Sequence, residues 1–214
     1  MALTRERFNL GMTYEQAKSV LPKNLPNIEQ NEKALNVTDA DLAPWRALPG
    51  KYNVMVLVID PCPDVYTNLP ILARIAQDSG KLDVRIFMRD DNKDLMAQFM
   101  NGPYESVPVF AFYDQDFNLQ SVFIERPRSV TEHRAQLTAK IYESDPAFGP
   151  VGTSASQMSD EVRQRYQAAT NQMRNDTKDF YVKESIREMR EIAEELASKP
   201  ASAKWRGNLA AVPA

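Results

Sequence analysis

The 214-residue chain holds one cysteine, Cys62, and one histidine, His133. Those two counts decide which side-chain chemistry is open. One thiol cannot close a disulfide within the chain. A zinc site of several cysteines or histidines has no ligands to draw on, and no EF-hand spacing occurs, so no metal and no cofactor are expected. A lone cysteine can instead act as a thiolate nucleophile. It attacks a disulfide, forms a mixed disulfide, and is released by a second thiol from a small molecule or another protein. Cys62 stands in Asp60-Pro61-Cys62-Pro63-Asp64-Val65. If a helix starts here, Cys62 caps it and Pro63 takes the first helical position, where its missing N–H costs nothing. The free N–H groups and the dipole of that helix favour an anionic sulfur. Asp60 and Asp64 oppose it, because nearby negative charge disfavours a second anion. The sequence leaves both directions open.

Other candidates read as structural. His133 beside Glu132 reads as a solvated helix pair. Arg126-Pro127-Arg128 reads as a solvated loop rather than an anion site, and Lys204-Trp205-Arg206 as disordered tail rather than a docking peptide. Met88, Met96 and Met100 read as core. There is no G-x-S-x-G elbow and no phosphate loop, and only 7 glycines are available to cradle a nucleotide.

The elements around Cys62 follow from periodicity. Asn53 to Ile59 (NVMVLVI) is a continuous apolar, β-branched run, as in a strand buried on both faces. Asp64 to Gln77 reads as a helix with Leu69, Leu72, Ile75 and Ala76 on one side and Gly80 as its stop. Leu82–Met88 reads as a second strand, Asp91–Asn101 as a short helix, and Val107–Tyr113 and Leu119–Glu125 as a hairpin. Ser129–Tyr142 is a further helix. Thr38 and Asp41 form a capping-box-like start for a helix carrying Leu42, Trp45 and Leu48. The order predicts an α/β fold: a mixed four-stranded sheet, a parallel βαβ unit plus an antiparallel hairpin, flanked by helices. The expected organisation is a helical extension over 1–36, a domain over 37–143, a linker over 144–158, amphipathic helices over 159–199, and a flexible tail over 200–214.

Apolar residues make up 43% and charged residues 26%, with a net charge of −3, which is ordinary for a globular chain and carries no nucleic-acid footprint. No stretch has the length of a membrane span, and the N-terminus lacks a signal-peptide core, so a cytoplasmic protein is expected.

With these elements in place, Pro61-Cys62-Pro63-Asp64-Val65 resembles the active-site loop of the thioredoxin family, W-C-x-x-C in its best-known form. Pro70, eight residues after Cys62, matches the proline that bends the family's helix. Val107-Pro108 matches the family's cis-proline. Cys62-Pro63-Asp64-Val65, Asn68-Leu69-Pro70 and Arg89-Asp90-Asp91-Asn92 are similar to a bacterial branch with a C-x-D-x loop. The resemblance covers roughly Val37 to Tyr142. It implies the thioredoxin fold, Cys62 as nucleophile, Pro61, Pro63, Asp64 and Val65 as its loop, and Val107 and Pro108 as a groove for an extended peptide. The departures bear on function. Val65 replaces the second cysteine, Pro61 the tryptophan, and Val56 the buried acid of the preceding strand. Two readings follow. One is a monothiol thiol-disulfide oxidoreductase with an exposed Cys62 of depressed pKa, partnered by a protein or low-molecular-weight thiol. The other is a redox-silent binding or scaffold protein. Its C-terminal apolar stripe must be buried on its own domain or on a partner.

Overall fold

The computed structural model describes residues 3–198 and 202–210. Four short helices come first: α1 (Arg5–Asn9), α2 (Tyr14–Ser19), α3 (Leu25–Ala34) and α4 (Asp39–Arg46). The Thr38–Asp41 capping box closes at the start of α4, and Leu42, Trp45 and Leu48 are buried. The first three, which make up the expected helical extension over 1–36, pack into the main core rather than apart from it. Phe8, Ala17, Leu21 and Ile28 join the main core, and Met12 exchanges backbone hydrogen bonds with Ile86 at 2.9 and 2.8 Å. Burying those side chains is what fixes a segment with little propensity of its own.

The next strand, β1 (Tyr52–Val58), is buried at every position, as its unbroken apolar run requires. It leads into α5 (Pro63–Ser79), which ends at Gly80 in the left-handed conformation. Then come β2 (Leu82–Met88) and α6 (Lys93–Met96). α6 is a single turn rather than the helix expected over Asp91–Asn101. Beyond it Gln98 and Phe99 bond three residues back, to Leu95 and Met96, in a tighter winding. Met96 is buried in the core, whereas Met100 is 39% exposed and packs no core.

The hairpin is β3 (Val109–Tyr113) with β4 (Leu119–Ile124). β3 opens after Pro108, which has no N–H to give a ladder. α7 (Arg128–Ser144) follows.

Residues 144–158 are folded rather than a plain linker. Two 3₁₀ turns, Pro146–Phe148 and Ala155–Gln157, let Phe148 and Met158 pack with Tyr142, Val162 and Tyr166. α8 (Asp160–Asp176) and α9 (Lys178–Ala197) come next. α9 buries Tyr181, Ile186, Met189, Ile192 and Leu196, and it packs on α4, α5, α7 and β4. The α9 part of the C-terminal stripe is therefore covered by this chain itself, whereas α8 buries no residue fully.

The sheet has five strands, not four, in the order β2-β1-β3-β4-β5. The fifth, β5 (Lys204–Gly207), pairs parallel to β4 where a flexible tail was expected. Arg206 holds it to Glu191 and Glu195 of α9, and the Gly207 N–H donates to the buried Glu188. The rest of that expected tail, 200–201 and 211–214, lies outside the described residues, as do residues 1–2 of the N-terminal extension. Among the described residues no helix is long and apolar enough to cross a membrane.

Candidate functional site

Cys62 is the N-cap of α5, with extended backbone and no side-chain cap of its own, and Pro63 is at the first helical position. Its loop is tied to the N-terminal region. The Cys62 N–H donates to Asn24 Oδ1 at 2.9 Å, and Asn24 Nδ2 donates to Ile59 O at 2.9 Å. The Asp60 carboxylate accepts from the Lys23 and Asn24 N–H groups at 2.9 and 2.7 Å. Asp60 therefore serves the start of α3. Asn24 is fully buried, and its contacts lie 35 or more residues along the chain, so no local pattern reveals it.

The thiol is partly exposed, and its Sγ lies 3.7 Å from Val107 O. The Val107–Pro108 and Asp60–Pro61 peptides are both cis. The Val107 side chain is buried, and its N–H has no hydrogen-bond partner among the described residues. Cys62, Pro63, Val107 and Pro108 thus come together. Val65 does not join them; it is fully buried in the core, so the position of the missing second cysteine faces inward. Pro61 is exposed at the loop's outer edge.

Burial pushes the Cys62 thiol up, and the charges of Asp64 and Glu125 add to it; the Val65 and Asp64 N–H groups pull down without overcoming them. The depressed thiol expected of a strong nucleophile is absent. At neutral pH the resting form is the thiol, aimed at the Val107 carbonyl.

Asp64 occupies a different role from that of a loop residue beside the sulfur. It is buried, and its Oδ2 accepts from Arg126 at 2.6 Å. Its Oδ1 accepts from the buried Tyr181 hydroxyl at 2.7 Å, with Arg134 at 3.7 Å. Asn68 Nδ2 donates to the Tyr181 oxygen and to Glu125 O. Burial, and then the Asp64 charge, push the Tyr181 phenol well up. This polar network joins α5, α9 and the turn after β4, and every member needs a partner because it is out of water. Arg126 is therefore not in a solvated loop; only Arg128, paired with Glu132 at 2.9 Å, faces water. His133 is not paired with Glu132; it stands edge-on to Phe180 at 4.7 Å. Trp205 packs 6.0 Å from Phe99. Sequence reasoning missed Asn24, Glu125, Arg134 and Tyr181. Glu125 is the one with a backbone signature, a positive φ of 68° beside Pro108, and its N–H donates to Pro108 O at 2.7 Å. No three His, Cys, Asp or Glu side chains among the described residues converge to hold a metal ion.

A family model described as Thioredoxin matches residues 11–138. Among curated proteins no sequence matches significantly. Two solved structures are similar. One is a Pseudomonas aeruginosa protein of unknown function, 19% identical, TM-score 0.62, covering 91% of this chain and 98% of that one. The other is an HIV epitope scaffold, 15% identical, TM-score 0.59, covering 90% and 98%. At these identities the likeness is one of fold.

Proposed function

The chain belongs to the thioredoxin family, and from that premise we propose that it is a monothiol thiol-disulfide exchange protein with Cys62 as nucleophile. The observation that carries this reading is the partly exposed Sγ at the start of α5, set 3.7 Å from Val107 O beside a Val107 N–H that has no partner among the described residues. An extended peptide carrying a disulfide would bond to the Val107 backbone while its sulfur meets Cys62. Cys62 loses its proton to solvent, its sulfur bonds to one sulfur of the disulfide, and the other sulfur leaves as a thiolate. Release needs a second thiol, from a small molecule or a protein.

The raised thiol slows this chemistry without forbidding it. Each pKa unit above the ambient pH removes tenfold of the thiolate, but the remaining thiolate is about threefold more nucleophilic. A high-pKa thiol is also a poor leaving group, so the mixed disulfide, once made, is long-lived. That suits capture better than rapid turnover.

The redox-silent reading is favoured by one observation, the upward push on Cys62. Under it the fold binds partners without using the sulfur. α9 would not supply that surface, since its apolar stripe is already covered.

The pH dependence of Cys62 alkylation in the folded chain, with Cys62→Ser as blank, separates the two. Monothiol exchange gives slow labelling at neutral pH, a midpoint above the ~8.5 of a free thiol, and one mixed disulfide per chain after exposure to a small disulfide. A folded chain that stays unlabelled at pH 10, while the unfolded chain labels normally, leaves the redox-silent reading.

A further inference from the structure

Beside the Cys62 loop, on the side of α3, α7 and the α8–α9 junction, lies a cavity of about 390 Å³. Its cationic lining is Arg134, Arg174 and Lys178, and no carboxylate lines it among the described residues. The rest is polar: amides of α3, the half-buried Tyr66, and Asn31, which is fixed by donating to Tyr66 O at 2.7 Å.

Of the three cations Arg134 is largely buried and poorly compensated, Lys178 is half-buried and Arg174 reaches solvent. Arg174 and Lys178 make no ion pair among the described residues. Among the described residues Arg134 pairs only with Asp64, at 3.7 Å, and that carboxylate is already engaged by Arg126 and Tyr181 at 2.6 and 2.7 Å. The Arg134 guanidinium lies 4.6 Å over the Tyr181 ring, and its Nε is buried with no partner among the described residues. Buried donors are normally satisfied, and a buried cation needs a counter-charge. Burial pushes Arg134 down; Tyr181 and the Asp64 charge oppose the fall without overcoming it, and the Arg126 and Arg174 charges add to it. Pro63, the first residue of α5, lines the cavity and brings a positive helix end to it, whereas at the α8–α9 junction the positive start of α9 meets the negative end of α8, so the side chains there carry the charge.

We propose that this cavity is a binding site for a multivalent oxyanion, a phosphate or carboxylate group of a small molecule, held by Arg134, Arg174 and Lys178. The amides and the Tyr66 hydroxyl would donate to or accept from the remainder of that molecule. Binding here does not use the thiol, so Cys62→Ser binds the anion as the parent chain does.

Thermal unfolding of the full chain, titrated separately with inorganic phosphate and with citrate against chloride at equal ionic strength, tests this. Ligand that binds only the folded state raises the midpoint with concentration. Phosphate and citrate also stabilise folded chains generally by exclusion, so the comparison is with Arg174→Gln/Lys178→Gln, whose side chains hold no ion pair to lose. The expected result is a rise in the parent chain and at least a tenfold weaker apparent affinity in the double variant. Whichever anion gives the larger difference identifies the group. Equal stabilisation of both chains by both anions, or none beyond chloride, overturns the site. An NMR shift of the Arg134 Nε–H on titration reads the same event directly; an unmoved signal counts against it.

Discussion

Two carboxylates bear on the Cys62 sulfur, and they differ in what else they hold. Glu125 pairs with Arg126 at 2.6 Å and accepts from Asn208 at 2.6 Å near the edge of the cleft. Asp64 is the buried centre of the network with Arg126, Arg134 and Tyr181. Both raise the thiol. Glu125→Gln should therefore move the alkylation midpoint of Cys62 to lower pH with the fold intact. An unchanged midpoint would show that Glu125 does not act on the sulfur and that burial and Asp64 set the thiol. Asp64→Asn removes the same kind of charge, but it takes from Arg134 the one carboxylate it meets among the described residues and from Arg126 one of two. It should cost about 1–3 kcal/mol of stability, the scale of leaving buried donors short of an acceptor, read as a lower urea midpoint. A loss below about 1 kcal/mol would mean the network is more hydrated than its burial implies.

β5 depends on one residue. Gly207 has a φ of +92°, and a Cβ there would meet Ile124 O at 2.1 Å, a backbone atom that cannot step aside. Gly207→Ala should detach β5 from β4 and cost about 2–3 kcal/mol, from a forbidden backbone and lost pairing. Trp205 fluorescence should shift toward that of exposed indole; an unshifted spectrum with unchanged stability would sink this account. The same strand marks where sequence reading stops. The β1 run, the α5 stripe and the β3–β4 hairpin are legible because burial stamps an unbroken apolar run or a helical period on them. Lys-Trp-Arg-Gly has no period, and its place is set by Glu188, Glu191 and Glu195 of α9. The site divides in the same way. Cys62 at a helix start and Val107-Pro108 before a strand are local patterns. Asn24, Glu125 and Arg134 acquire roles only when distant segments meet, and Asp64 reads as a loop residue until Tyr181, 117 residues away, is seen to donate to it.

At the scale of the whole molecule, folding traps protons on phenols. Tyr14, Tyr52, Tyr66, Tyr113 and Tyr181 are all pushed up, chiefly by burial, and Tyr166 is pushed up to about 12. Tyrosine in the unfolded chain ionises near ~10. Above that pH the unfolded state has released protons that the folded state still holds. Unfolding is then favoured by rising pH, because stability falls wherever the folded state binds more protons. Each fully retained phenol removes about 1.4 kcal/mol per pH unit, less at the more solvent-screened Tyr66 and Tyr166. Cys62, also raised, starts the same decline from about 8.5. Against a typical total of 5–15 kcal/mol, a few such groups suffice. The chain should therefore hold a steady urea midpoint between pH 7 and 8, lose it progressively above pH 9, and unfold cooperatively between about pH 10 and 12, with tyrosine ionisation and loss of circular dichroism coinciding. Phenols that ionise one by one while the dichroism persists would show that water reaches them in the folded state, and the argument from burial would fail.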